Sequence, residues 1–299
     1  MFYARKSVLL LLISIFLYFP ASQAYGQNSS YAFDVAVTGS GPDLLLIPGL
    51  GSPGEVWHSI SDELDDSHRL HIISLPGFAG REPVDFGDSF METMRKEIVS
   101  YLQHEDLNNP VIMGHSLGGF LALDIASRHS DLISGIISVD GVPFLPAMQN
   151  PALTEESTAG MAKNMINQRK NSSPDELRQM QERIIQTMVT DPDDQQRAVE
   201  WSLQSAEATF NQAIYDLYTT DLRDDISQID VPVLVLGSWI AYKNYGLTKQ
   251  VAKQMYRQQF DGLESVTIKI SDRGRHFLMW DDPEIVISSF RAFVKKSEL

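Results

Sequence analysis

Ser116 stands between glycines in the run Gly114-His115-Ser116-Leu117-Gly118-Gly119. An apolar stretch, Val111–Met113, leads into it, and helix-compatible residues follow as far as Arg128. A serine in G-x-S-x-G on a bend from strand to helix is the pattern of a nucleophile elbow. The bend is too tight for side chains two residues before or after the serine, and glycine at 114 and 118 removes those clashes. The hydroxyl is left exposed at the positive end of the helix that follows. A serine hydroxyl is a poor nucleophile at neutral pH and needs a base beside it. Among the seven histidines, His276 lies in Ser271-Asp272-Arg273-Gly274-Arg275-His276-Phe277, a loop between a final strand-like run and a helix starting near Pro283. A loop there carries its imidazole over the sheet edge that holds Ser116, so His276 is the expected base. His115 adjoins the serine but points elsewhere on the elbow. His58, His68, His71, His104 and His129 fall on or near helices or a strand start, where solvated or core-edge roles are expected. Acyl transfer also needs donors for an oxyanion. The glycine-rich turn Pro48-Gly49-Leu50-Gly51 directly follows a buried strand, and the amides of Leu50 and Leu117 are the expected oxyanion hole.

The elements that must position these groups recur in alternation. Strand-like runs lie at 44–47, 71–75, 111–113, 135–139, 233–236 and 266–270, with a weaker one at 33–37 expected at an edge. They are nearly continuous in Val, Ile and Leu, as expected of a mostly parallel, doubly wound α/β sheet with helices on both faces. Helices are expected at 90–104, 117–128, 248–260 and 283–295. Between about 143 and 229 the alternation stops and helical patterns take over, among them 174–190 and 194–218. This span reads as a helical lid inserted after the sixth strand, above the end where the serine emerges. Its Met161, Met165, Met180, Met188, Trp201 and Phe210 could line an adaptable apolar pocket, although for each of them ordinary packing is the simpler expectation. The core is then 25–142 and 230–299.

Residues 1–24 read as a signal peptide: Arg5 and Lys6, an apolar run from Ser7 to Phe19, then Ala-Ser-Gln-Ala. The apolar run is shorter than the roughly 20 residues that span a bilayer, so cleavage after Ala24 and no stable membrane anchor are expected. The chain contains no cysteine, which is compatible with export to a bacterial periplasm or beyond. Without Arg5 and Lys6, 22 basic residues face 39 acidic ones, a net charge of −17. Such a protein repels nucleic acid and anionic membranes. No cluster of His, Asp or Glu has metal-ligand spacing, and no cofactor is expected.

These landmarks, with Leu75-Pro76-Gly77-Phe78-Ala79-Gly80, Val231-Pro232-Val233-Leu234-Val235-Leu236-Gly237 and His276-Phe277 before Asp282-Pro283-Glu284, resemble a lid-bearing serine hydrolase of the α/β-hydrolase superfamily over residues 33–296. Two departures stand out. The usual His-Gly before the oxyanion residue is Pro48-Gly49. In the family the acid that orients the histidine usually follows the strand that is here Val233–Leu236, but residues 237–246 contain no carboxylate. Some relatives, certain haloalkane dehalogenases among them, carry the acid at the end of the preceding strand, the position of Asp140. The resemblance therefore implies Ser116, Asp140 and His276 as a triad in the chain order Ser–Asp–His, with Asp272 the next candidate acid. Asp281 and Asp282 are expected at a helix N-terminus. Aromatic residues in the 239–246 loop could stack on a substrate or merely pack. The activity implied is hydrolysis of a small-molecule carboxylic ester, thioester or lactone through an acyl-serine. The same residues could serve an acyltransferase, a peptidase or a C–C hydrolase, and a fold lacking its acid could bind a ligand without catalysis.

Overall fold

The computed structural model describes residues 31–296; the expected leader lies outside them. Seven strands form one sheet: β1 (Asp34–Gly39), β2 (Asp43–Ile47), β3 (Arg69–Ser74), β4 (Val111–His115), β5 (Gly135–Val139), β6 (Val233–Gly237) and β7 (Val266–Ile270). Their order is β1-β3-β2-β4-β5-β6-β7, with β1 antiparallel to β3 and every other pair parallel. Every residue of β2, β4, β5 and β6 is buried, the reason these strands read as unbroken apolar runs. Side chains alternate between two cores. Leu45, Ile47, Ile112, Ile136 and Val235 point into one, while Leu44, Leu46, Met113, Ile137 and Leu236 point into the other. Each fully buried leucine or isoleucine contributes about 2 kcal/mol of transfer free energy.

Helices cover both faces. Phe90, Met94 and Ile98 of α2 (Phe90–His104) and Phe120 and Leu123 of α3 (Leu117–His129) fill the first core, as does Tyr256 of the later helix Lys249–Gln259. On the other face lie Ile60 and Leu64 of α1 (His58–Leu64), and further along the chain Leu278 and Phe290 from helices Leu278–Asp281 and Pro283–Lys296. The weak edge strand expected near residue 33 is β1, and it is half-exposed.

Between β5 and β6 come four helices, α4 (Glu155–Asn171), α5 (Pro174–Met188), α6 (Pro192–Gln204) and α7 (Glu207–Thr219). The insertion thus follows the fifth described strand and not the sixth: the five strand-like runs before residue 143 correspond one to one with β1–β5. Local chemistry punctuates it. Thr154 and Ser173 each close a capping box, and Pro174 and Pro192 open the first turns of α5 and α6. The run expected as one helix over 194–218 is instead broken at Ser205–Ala206. There the backbone turns to meet the Gly77–Gly80 bend of the core: Ala206 N–H donates to Gly77 O at 2.7 Å, and Gly80 N–H to Gln204 O at 3.2 Å. The carboxylate of Asp216 on α7 accepts from Ser89 Oγ at 3.0 Å and Met91 N at 2.9 Å, tying the insertion to the start of α2. The chain continues through helix α8 (Lys249–Gln259), β7, α9 (Leu278–Asp281) and α10 (Pro283–Lys296).

Candidate active site

β4 delivers Ser116 into the bend before α3 with φ 52° and ψ −114°, a left-handed backbone that costs of order 1–3 kcal/mol for a non-glycine residue. The flanking packing holds it there. A Cβ on Gly114 would stand inside the Gly118 carbonyl, and one on Gly118 inside the Ile47 carbonyl, so the bend closes only with glycine at both positions. Ser116 N–H donates to Val139 O at 2.9 Å, which sets the serine beside the end of β5. There Asp140 is also left-handed, with φ 54°. Its N–H donates to Leu236 O at 2.7 Å.

The loop after β7 brings His276 to Asp140, Nδ1 to Oδ2 at 2.6 Å. A carboxylate only accepts, so Nδ1 carries the proton and Nε2 keeps its lone pair free. Asp140 is itself held by donors. Ser238 N–H reaches Oδ1 and Ser238 Oγ–H reaches Oδ2, each at 2.8 Å, and the Tyr256 hydroxyl donates to Oδ1. Burial, reinforced by the Asp140 charge, pushes the Tyr256 hydroxyl well above its ordinary value, so it stays a donor. Ser238 occupies the place just after β6, where the resemblance implies a carboxylate. The carboxylate facing His276 thus comes from the end of β5, one strand over, and the residue after β6 supports it. Neither Ser238 nor Tyr256 was marked by sequence reasoning. Asp272 is exposed and accepts from Lys249 Nζ at 2.6 Å instead.

His115 is fully buried, and its ring centroid is 4.7 Å from that of His276. Its Nε2 lies 3.1 Å from the His276 carbonyl. A carbonyl only accepts, so Nε2 is the protonated nitrogen and His115 anchors the backbone of His276. Burial first, and then the neighbouring His276, hold His115 well below the ordinary histidine range, keeping it neutral. The Leu50 and Leu117 amides have no backbone acceptor among the described residues. The turn carrying Leu50 passes against the elbow: a Cβ on Gly49 would lie 3.2 Å from Ser116 Cβ. Elbow, imidazole, carboxylate and two free amides therefore converge at the carboxyl end of the sheet.

The histidine loop is also fastened to the insertion. Phe277 N–H donates to Met188 O at 3.1 Å, and the Arg275 guanidinium donates to the carbonyls of Val189, at 3.0 Å, and Gln186. Asp281, expected as a helix-start residue, accepts instead from Thr190 N at 3.0 Å, Thr190 Oγ at 2.9 Å and Arg275 N at 2.8 Å. In the 239–246 loop, Trp239 Nε1 donates to Ser271 O at 3.0 Å, while Tyr242 and Tyr245 are exposed. Of the apolar insertion residues, Phe210 is buried and Met161 and Met165 are well exposed. Among the described residues, no group of three or more His, Cys, Asp or Glu is placed to hold a metal ion, and no helix is long and apolar enough to cross a membrane.

Sheet order, elbow and converging side chains define a hydrolase of α/β type, and the chain belongs to the alpha/beta hydrolase family, whose profile matches residues 44–288. It is similar to a pimeloyl-[acyl-carrier protein] methyl ester esterase of Vibrio atlanticus, 34% identical over 117 residues, 39% of this chain and 43% of that one. A protein of the same name from Yersinia enterocolitica is 27% identical over 234 residues, 76% of this chain and 84% of that one. Among solved structures, a hydrolase from Pseudomonas aeruginosa superposes with a TM-score of 0.72 at 14% identity, over 89% of this chain and 99% of that one. An esterase from Thermogutta terrifontis gives 0.69 at 20% identity, over 89% and 95%.

Proposed function

We propose that this chain is an exported serine esterase that cleaves a small-molecule carboxylic ester, thioester or lactone through an acyl-serine intermediate. The observation that carries the reading is the 2.6 Å contact from His276 Nδ1 to a carboxylate fixed by Ser238 and Tyr256. That contact fixes the tautomer a general base needs. Ser116 Oγ bonds to the carbonyl carbon as His276 Nε2 takes its proton. The oxygen that gains charge is received by the Leu50 and Leu117 N–H groups. Collapse of the tetrahedral intermediate breaks the bond to the leaving oxygen, which takes the proton back from His276. Water, deprotonated by the same nitrogen, then releases the acid and restores Ser116. The named relatives favour a methyl ester as the first substrate to try. The signal-like residues 1–24 support export, which N-terminal sequencing of the protein from a periplasmic fraction tests.

The direct experiment is turnover of a short p-nitrophenyl ester and labelling by a fluorophosphonate. The wild type is expected to show both, and Ser116→Ala neither. A wild type inert to both reagents overturns the acyl-enzyme reading.

A further inference from the structure

Arg169, on α4, differs from the chain's other part-buried arginines. Its guanidinium lies over the Phe210 ring, Cζ 4.1 Å from the centroid. It forms no hydrogen bond or ion pair among the described residues, and its Nε is buried without a partner. Elsewhere the buried or half-buried guanidiniums are engaged: Arg95 on Asp124, Arg223 on Asp221, Arg275 on backbone carbonyls. Burial lowers its affinity for its proton, and Glu207 opposes this only through space. The residue is half-buried and only Nε is closed off from solvent, so the terminal N–H groups remain available to pair with an anion.

The place matters as much as the lack of a partner. Phe210 rests on the oxyanion turn: its ring edge is 2.8 Å from where a Cβ of Gly51 would stand. Gly51 follows Leu50, and Gly49 touches the elbow. One phenyl ring thus separates the guanidinium from the loop expected to receive the oxyanion. Stacking uses only the face of the guanidinium, leaving its in-plane N–H fork free for a carboxylate. Asn211, next after Phe210 on α7, buries both amide atoms with no partner among the described residues. The same stretch of α7 therefore carries a further unsatisfied donor and acceptor.

We propose that Arg169 binds a carboxylate at the far end of the acyl group, making half-esters of dicarboxylic acids preferred substrates. The inference rests on the esterase reading and adds the substrate's charge to it. The test compares monomethyl esters of the succinate-to-suberate series with methyl alkanoates of matching length. A charge-assisted fork is worth about 10- to 100-fold in kcat/KM, so the wild type should favour the half-ester by that factor at one or more lengths, through KM. In Arg169→Gln the ratio should fall to near one. Arg169→Met, which keeps a stem to pack on Phe210, should lose the preference likewise. A wild type indifferent to the carboxylate at every length, or a preference that survives both substitutions, overturns the proposal. Calorimetric binding of the half-esters to Ser116→Ala, with and without Arg169→Gln, reads the same site without turnover. If no ester is hydrolysed while Arg169-dependent binding is seen, the esterase reading fails and the carboxylate site stands. Hydrolysis with no Arg169-dependent binding gives the reverse.

Discussion

Replacing Asp140 by asparagine keeps the shape of the site but lets the side-chain amide donate toward His276 Nδ1, which selects the wrong tautomer. The expected loss in kcat is about 10³- to 10⁴-fold, with KM little changed. Asp272→Asn should leave kcat as it was, because its carboxylate meets Lys249 and not the imidazole. Steady-state kinetics on one ester decides between them, and equal losses would sink the assignment of Asp140. Tyr256→Phe removes one of the donors on Asp140 and should lower kcat by about 10-fold. At this scale the elbow that carries the candidate nucleophile was legible in the sequence because its geometry is local: two glycines within two residues of Ser116 are demanded by backbone sterics alone. The carboxylate that meets His276 was legible mainly through a gap, the carboxylate absent after β6. Ser238 and Tyr256 could not be read, since hydrogen bonds to Asp140 from 98 and 116 residues away leave no spacing pattern.

Elements carry the second layer of control. His276 sits on a loop whose neighbours Arg275, Phe277 and Asp281 are bonded to Gln186–Thr190, the end of α5 and the turn after it. The helical insertion therefore helps to hold the loop that carries the candidate base. Asp281→Ala removes three hydrogen bonds that reach a partly exposed carboxylate, worth roughly 1–3 kcal/mol together. Thermal unfolding should begin about 2–8 °C lower. Turnover should fall while the reaction with a small fluorophosphonate, less dependent on the insertion, falls less. Unchanged kinetics alongside a lowered Tm would mean that the latch stabilises without positioning. Strands and core helices were readable because burial on both faces writes itself as unbroken Val, Ile and Leu, and 90–104 matches α2 residue for residue. The break between α6 and α7 was not readable. No proline or glycine marks it, and its cause is a contact with the Gly77–Gly80 turn far away in sequence.

On the scale of the whole molecule, the candidate active site and a buried charge network lie at opposite ends of the sheet. Ser116, Asp140 and His276 lie at the carboxyl ends of the strands, whereas Asp43 opens β2 at the other end. Its buried carboxylate accepts from Arg69 Nε at 2.5 Å, from Asn108 N at 2.9 Å and from His71 Nε2 at 3.1 Å, and His71 Nδ1 pairs with the Tyr101 hydroxyl at 2.7 Å. Burial alone would raise Asp43, but the bonds from Arg69, Asn108 and His71 outweigh it and hold the carboxyl at about 2, against an ordinary 3.8. Burial pushes His71 below its ordinary 6.5, with Asp43 only partly opposing. Both shifts have one sign: the unfolded chain binds protons more readily than the folded one, so stability is lost as pH falls. His71 stabilises fully above about pH 6.5 and progressively less below it. Asp43 adds about 2 kcal/mol that is present above about pH 4 and disappears toward pH 2. Urea unfolding at a series of pH values should therefore show a decline starting near 6.5 and a second one below 4. His71→Gln, which can still donate to Asp43, should flatten the upper part and leave the lower. Because this network is remote from His276, the pH dependence of kcat should not follow the same curve. An upper decline that persists undiminished in His71→Gln would place its origin in another histidine, with buried His115 the first to examine.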